Sequence, residues 1–489
     1  MLRLIVAFAF LGLSHQLVMA AERPSVVLFL VDDLGWTDLG YAGSDLYQTP
    51  NIDRLAAEGV QFTNAYAACN VCSPTRAAVL TGKYPARLNL TDYIEGHTWI
   101  TNRKLELPDW TKKLPIEEVT IADVLSEAGY QTAHIGKWHL SPRSVEGRIG
   151  YLPTDQGFDV NVGGGHMGLP GSYFYPYGRG GRQVPYLPEG GKKGDYLTDL
   201  LAGEACKLIE SWKDEPFFIN YWFYTVHTPI QGKPDYIENI SPTVKRESVH
   251  HNAGYAAMVR SLDDAVGRVL DTLEQNGLAE ETLIIFTSDN GGLDKSGRGP
   301  TSNHPLRQGK GTVYEGGVRV PAIIKMPGIT KAGGVCHEPI ISVDYLPTVL
   351  ELLALNEELP AEVDGSSLVP LLRDPDVNLE REAIYWHYPH YHAVGARPHG
   401  AVRSGKYKLI EFYEDDRLEL YDLETDIHED HNLAMERPAI AQRLYHLLDR
   451  WRGEVGAQMG APNPEYDPSQ ATGRKTDAGI TPLPPVREH

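Results

Sequence analysis

The sequence predicts an α/β fold: a large mixed, mostly parallel sheet sandwiched by helices, followed by a smaller C-terminal antiparallel sheet with one helix packed on it. Three observations predict it. Continuous, largely apolar runs at Ser25 to Val31, Phe217 to Tyr224 and Thr282 to Ser288 read as strands buried on both faces. Segments of helical periodicity separate them, which is the layout of a doubly wound sheet with its ligand site beyond the carboxyl ends of the strands. After about Asp374 the texture changes to short strand-like runs in close succession.

Taken in order, Arg3, the apolar run Leu4 to Leu13 and the small-residue site Val18-Met19-Ala20 read as an export signal, and the apolar run is too short to span a bilayer. The expected organisation is a signal peptide over 1–21, a catalytic domain over 22–374, an α+β subdomain over 375–459 and a disordered Pro-rich tail over 460–489. The chain is therefore expected to be exported, periplasmic or secreted, without stable membrane insertion. Ser25 to Val31 delivers Asp32 and Asp33 at its carboxyl end. Thr49-Pro50 through Gly59 carries an N-cap residue, a first-turn proline and a closing glycine, hence a helix. Val60 to Ala67 alternates as a strand. Ser73 as cap and Pro74 open a helix that Gly82 closes, so residue 72 is expected just outside a helix N-terminus, where negative charge is favoured. Thr120 with Asp123 starts a helix stopped by Gly129, and Gln131 to Gly136 is a strand leading into Lys137-Trp138-His139. Tyr255, Met258, Val259, Leu262, Val266, Val269, Leu270 and Leu273 share one face of a helix ended by Gly277. The next strand ends in Asp289-Asn290-Gly291-Gly292. Ala383 to Trp386, Ala401 to Ser404, Tyr407 to Phe412 and Leu418 to Leu423 form the antiparallel sheet, with a helix over Pro438 to Val455.

With 45 Lys and Arg against 65 Asp and Glu, the net charge of −20 repels polyanions and excludes a general nucleic-acid-binding surface. An anionic substrate requires a locally positive pocket. The cysteines, Cys69, Cys72, Cys206 and Cys336, are too few for a disulfide scaffold. Cys69 and Cys72 admit a redox pair or half a zinc site, but no second Cys-x-x-Cys completes the latter, and the pairing of Cys69, Cys206 and Cys336 stays open.

Asp32, Asp33, Asp289 and Asn290, at the ends of two predicted strands, offer only hard oxygen donors, which suit calcium or magnesium and not zinc. Taken singly, such residues are as often caps and turns. The pentapeptide Cys72-Ser73-Pro74-Thr75-Arg76 resembles the maturation site of the type I, formylglycine-dependent sulfatases, the arylsulfatase-like branch of the alkaline phosphatase superfamily. Gly136-Lys137-Trp138-His139 resembles their Gly-Lys-x-His motif, and His227 and Lys310 stand at two further family positions. Pro321 to Gly328, Asp344 to Thr348 and Leu420 to Asp426 with Asn432-Leu433 look like later landmarks. Thr75 stands where many members have serine, which leaves Cys72, Pro74 and Arg76 for the modifying enzyme to read.

The resemblance implies that a formylglycine-generating enzyme oxidises Cys72, and that the hydrated aldehyde attacks the sulfur of a sulfate ester. It implies one Ca2+ held by Asp32, Asp33, residue 72, Asp289 and Asn290. Arg76 would orient the nucleophile, Lys137 and Lys310 hold the sulfate, His227 protonate the leaving alcohol and His139 assist sulfate release. The Gly-, Tyr- and Pro-rich stretch Gly163 to Asp195 carries His166, Arg179 and Arg182, which could rim the pocket; the plainer reading is a surface loop held by aromatic packing. His97, Trp99, Arg307 and the His387 to His392 cluster, His390 included, are further candidates for substrate contact. Export and this rim favour a sulfated saccharide over a small aryl sulfate. The rival readings are a phosphatase or phosphonate ester hydrolase of the same superfamily and a secreted glycan-binding protein. The binder would be marked by loss of Cys72, an acidic ligand or Lys310, and none is lost.

Overall fold

Ser25–Val31 is apolar on both faces and so has no solvent side: Val27, Phe29 and Val31 enter one hydrophobic core, while Val26, Leu28 and Leu30 enter another on the opposite face. It lies near the middle of the large sheet. The order across that sheet is Gly334–Cys336, Val60–Tyr66, Arg319–Lys325, Thr282–Ser288, Ser25–Val31, Phe217–Trp222, Gln131–Gly136 and Val160–Val162, with Ile340–Ile341 also pairing to Val60–Tyr66. Every pairing is parallel except those of Arg319–Lys325, which runs antiparallel to both neighbours. The structure, a computed structural model, describes residues 23–96, 102–143, 150–245, 247–295, 297–360 and 362–470. The expected export signal, His97, Trp99 and the end of the tail lie outside them.

Helices cover both faces, as expected. The amphipathic Ala253–Gln275 buries Leu262, Val266 and Val269 with the Leu197–Ser211 and Pro50–Glu58 helices on the first face, each large side chain contributing about 1.5–3 kcal/mol. Cys72–Thr81, Ile121–Glu127 and Tyr345–Leu352 cover the second. The expected cap of the Pro50–Glu58 helix is corrected. Thr49 Oγ1 turns instead to Asp53, and Asp263, from the middle of the long helix, accepts from the free N–H groups of Asn51 (3.0 Å) and Ile52 (2.9 Å). Among the described residues no helix is long and apolar enough to cross a membrane.

The smaller sheet is an antiparallel meander of Ile384–Tyr388, His399–Ser404, Tyr407–Phe412 and Arg417–Asp422, with Pro438–Glu454 packed on it. Trp386, Val402, Leu409 and Trp451 share a third core with Tyr66, Tyr84 and Val318 of the larger part. A buried ionic knot crosses the same seam. Lys408 Nζ reaches Glu315 (2.8 Å) and Glu429 (3.0 Å), all three side chains being fully shielded from water, and Tyr66 donates to Glu315 at 2.7 Å. The expectation of disorder from 460 onward is also corrected for the described part of the tail, which ends at 470. Ala461–Pro462 pairs antiparallel with Leu105–Glu106, and Asn463 and Asp467 bond to Lys104 and Asn102. Backbone hydrogen bonding, which has no periodic side-chain signature, holds this segment.

Removing one partner from a buried charge knot strands the others. Lys408→Met is therefore expected to lower the unfolding free energy by about 3–5 kcal/mol, read as a fall in the urea midpoint; a midpoint equal to that of the unaltered protein would show that Glu315 and Glu429 need no cation.

Candidate active site

The register of the large sheet assembles the site. Val31 pairs with Ser288, and Leu30 and Gly136 both pair with Trp222, so the residues that follow, Asp32, Asp289 and Lys137, emerge together at one edge. Gly136 has φ of +98°, and a Cβ there would lie 1.9 Å from the Trp222 carbonyl oxygen. Only glycine lets the strand approach closely enough to point Lys137 inward.

The charges interlock. Lys137 Nζ donates to both oxygens of Asp32 (2.9 and 2.8 Å). Arg76 donates from Nε (2.9 Å) and an η nitrogen (2.6 Å) to Asp289 and from its other η nitrogen to the Lys137 carbonyl (2.9 Å), with its guanidinium over the Trp222 ring. Lys310 Nζ donates to Asp33 at 2.6 Å. Burial pushes the Asp32 carboxyl up to about 8, with Asp289 and Asp33 adding to the effect and Lys137 and Arg76 opposing it. Burial acts upward on Asp33 too, yet Lys310 and His227 beside it hold it well below the usual carboxylate range.

Cys72 corrects the expected helix boundary. It is the first residue of the Cys72–Thr81 helix, with Val71 as cap, and every residue of that helix is buried. Ser73, expected as the cap, donates instead to the His139 carbonyl (2.8 Å) and accepts from Ile94 N. Thr75 Oγ1 closes the preceding turn by bonding Cys69 N and O, a use that serine would serve equally. Burial raises the Cys72 thiol in spite of Lys137 and Lys310, so the side chain is a thiol and a poor nucleophile as it stands. All four cysteines are free.

The histidines are neutral and their tautomers follow from their partners. His139 Nε2 lies against the Ile94 carbonyl, which only accepts, so Nε2 carries the hydrogen and Nδ1 presents a lone pair to Cys72 Sγ at 3.4 Å. Burial and Lys137 hold this imidazole well below its ordinary value. His227 Nδ1 donates to the Thr228 carbonyl at 2.9 Å, leaving Nε2 at 3.5 Å from Asp33 Oδ2. Burial and then Lys310 push it down to about 3, against the pull of Asp33.

Oxygen donors are left over in the midst of this. Asp33 Oδ2 and Asn290 Oδ1 are buried without a hydrogen-bond partner, Asn290 Nδ2 being spent on Asp33 Oδ1 at 2.8 Å. A carboxylate oxygen of Asp32, one of Asp289 and the Cys72 sulfur lie within 4.8 Å of one another, as do donor atoms of Asp32, Asp33 and His227. An orphaned buried oxygen is costly, and a hard dication would satisfy it, so the residues fit the calcium expected here.

Beside these groups Cys72, His139, His227 and Lys310 line a cavity of about 660 Å³. Of the expected rim residues, His166 and Arg182 line it. Arg307 and His390 are corrected. Arg307 stacks on Tyr314 (4.0 Å) and donates to Tyr421 and the Glu429 carbonyl, and His390 is buried against Thr91 Oγ1 (2.8 Å). Arg179 stands on the hairpin beside Arg182, outside the cavity wall. Tyr93, Glu95, Arg143 and His392 line the cavity and were not singled out individually, though His392 falls in the flagged histidine cluster. The aromatic-packing reading holds for Tyr173, Tyr177 and Tyr196 of the insert and its flank, which are buried.

The family model described as "Sulfatase" matches residues 24–355, and "N-sulphoglucosamine sulphohydrolase, C-terminal" matches 308–452. A "Sulfatase" of Formosa agariphila is 33% identical over 90% of this chain and 91% of its own. Human "Arylsulfatase A" is 35% identical over 79% of this chain and 75% of its own. The structure of "Ps i-CgsB in complex with k-i-k-neocarrahexaose" superposes with a TM-score of 0.71 at 28% identity, covering 88% of this chain and 93% of that one.

Gly136→Ala is expected to cost more stability than Gly129→Ala. Both positions have positive φ, which strains alanine by about 1–3 kcal/mol, but a Cβ at Gly129 meets nothing within 4 Å whereas one at Gly136 strikes backbone. Equal losses in thermal unfolding would show that the approach of Gly136 to Trp222 is not tight.

Proposed function

We propose that this chain, which belongs to the sulfatase family and is a sulfuric ester hydrolase, removes sulfate from a sulfated saccharide by means of an oxidised Cys72 and one calcium ion. The observation that carries the reading is the setting of residue 72. It is the first residue of a buried helix, beside the lone pair of His139 Nδ1, among carboxylates with unspent oxygens and in reach of the cavity. As a thiol it is a weak nucleophile, so activity requires its conversion to formylglycine by a generating enzyme. The hydrated aldehyde would supply the attacking hydroxyl, and calcium on Asp32, Asp33, Asp289 and Asn290 would add positive charge where the sulfate oxygens sit.

The chain's own groups do the rest. Arg76, fixed by Asp289 and the Lys137 carbonyl, braces the helix turn that carries residue 72. Lys137 and Lys310 provide fixed cations for sulfate oxygens in a loose transition state, where charge stabilisation outweighs covalent activation. Lys310 keeps its proton, burial opposing it but Asp33 and the Cys72 side raising it, and stays a fixed cation beside His227, whose Nε2, once loaded with a proton from water, passes it to the departing alcohol. His139, neutral with Nδ1 toward residue 72, takes the proton of a hydroxyl there when sulfate is released.

A sugar ester is favoured over a small aryl ester by the width of the cavity and its cationic rim. It is also favoured by relatives named "N-acetylgalactosamine-6-sulfatase", one from Mus musculus being 32% identical over 75% of this chain and 69% of its own, and by the neocarrahexaose complex. A two-metal phosphatase is disfavoured, since it would need more His and Asp ligands than Asp32, Asp33, Asp289 and His227, the ones gathered here among the described residues. The leader read from residues 1–21 supports action outside the cytoplasm on an extracellular glycan.

Cys72→Ala is expected to abolish sulfate release from defined sulfated saccharides, while peptides spanning residues 69–76 of the active protein carry formylglycine by mass spectrometry. An unmodified, fully active protein would overturn the mechanism. Lys310→Ala is expected to lower kcat about 10²- to 10³-fold, or roughly 2.7–4 kcal/mol, the loss of one charge-stabilising donor. Chelation is expected to lower the melting temperature and added Ca2+ to restore it, with Asn290→Ala weakening the restoration; a melting curve indifferent to both would sink the calcium site.

A further inference from the structure

The hairpin within the insert is arranged in an electrostatically costly way. Gly178–Arg179 and Arg182–Gln183 are joined by Gly180 and Gly181, whose φ values of +61° and +78° match the two-residue turn that needs positive φ at both positions. Arg179 and Arg182 are direct cross-strand partners, so their side chains leave the same face of the ribbon, and like charges so placed repel. Among the described residues no carboxylate forms an ion pair with either, although acidic residues outnumber basic ones 65 to 45. The hairpin is anchored below by Gly171 N to the Arg182 carbonyl (3.1 Å) and Val184 N to the Tyr177 carbonyl (3.3 Å), so the pair is held in place.

Arg182 lines the cavity, and so does Arg143, which likewise has no ion pair among the described residues. The charge of Arg143 reaches this part of the cavity: after burial it is the next cause lowering His166, and Glu95 is the opposing one. The rim thus offers more unspent cation than anion, on guanidinium forks whose planar geometry matches the paired oxygens of a sulfate or carboxylate.

We infer that Arg179 and Arg182, with Arg143, form a subsite for a second anionic group of the substrate, a sulfate or a carboxylate on the saccharide beside the ester that is cleaved. The inference rests on the reading of the cavity floor as the sulfate-ester site. The second anion cancels the repulsion across the hairpin, and the enzyme prefers saccharides with two negative groups to those with one.

The test compares kcat/KM on three disaccharides: one disulfated, one monosulfated with a uronic acid, and one monosulfated and otherwise neutral. In the double variant Arg179→Gln/Arg182→Gln, both positions being exposed on a hairpin tip, the preference for the disulfated over the neutral monosulfated disaccharide is expected to fall about tenfold, through KM. The wild-type preference is also expected to shrink with added salt, and the variant's to be less salt-sensitive. The uronate arm distinguishes carboxylate from sulfate as the second anion. An unchanged preference, or wild type with none to lose, overturns the inference. Turnover of no sulfate ester by wild type overturns the sulfatase reading instead, and the subsite is then judged by calorimetric binding to the Cys72→Ala protein, where equal affinity for the disulfated and monosulfated sugars, with and without the hairpin substitutions, overturns it.

Discussion

Asp32, Asp33 and Asp289 sit at one edge of the sheet, all but hidden from water, and this is the constraint from which the rest of the site follows. Each desolvated carboxylate costs several kcal/mol unless a cation and hydrogen bonds are brought to it. The fold brings them from separate elements: Arg76 from the second face's helix, Lys137 from the end of a strand, Lys310 from the loop before Arg319–Lys325. Each interaction ties together residues far apart in the chain. Helix Cys72–Thr81 is buried along its whole length, with Ala77, Val79 and Leu80 in the core and Arg76 on Asp289, and its first residue, Cys72, lines the cavity.

A second charge knot extends the same logic across the seam with the smaller sheet. The loop carrying Lys310 is held on one side by Lys310 N to the Gly292 carbonyl and Gly311 N to the Asn70 carbonyl. On the other side Glu315 is held by Lys408 and Glu429, and Arg307 by Tyr421. The C-terminal sheet therefore acts as a wall against which the loop is braced, and its His392 enters the cavity directly. Rigidity of this kind is what charge stabilisation requires, since a cation that must reorganise during the reaction gives back part of its benefit.

Local arrangement also reconciles an acidic protein with an anionic ligand. The net charge of −20 repels an anion at a distance, but the screening length is about 8–10 Å at ordinary salt, so the cations lining the cavity dominate once a ligand is at its mouth. Burial and nearby lysines keep His139 and His227 neutral, so the positive charge beside them comes from the lysines and Arg76.

Much of this was legible in the residues. Buried parallel strands require unbroken apolar runs, and those runs marked Ser25–Val31 and Thr282–Ser288 to the residue; the polar residues directly beyond them marked the edge where a site forms. Such signals are local, because the periodicity of a strand or helix records which faces are buried. Where an individual side chain goes is not local. Asp263 caps a helix more than two hundred positions earlier, Arg307 turns inward to Tyr421 while Arg143 turns to the cavity, His392 and not His390 reaches the pocket, and Ala461–Pro462 finds Leu105–Glu106. The sequence by itself determined the elements, their burial and the chemistry available at the strand ends. Only the tertiary structure decided which of the remaining polar groups meet, because each destination depends on a partner that no neighbouring residue announces.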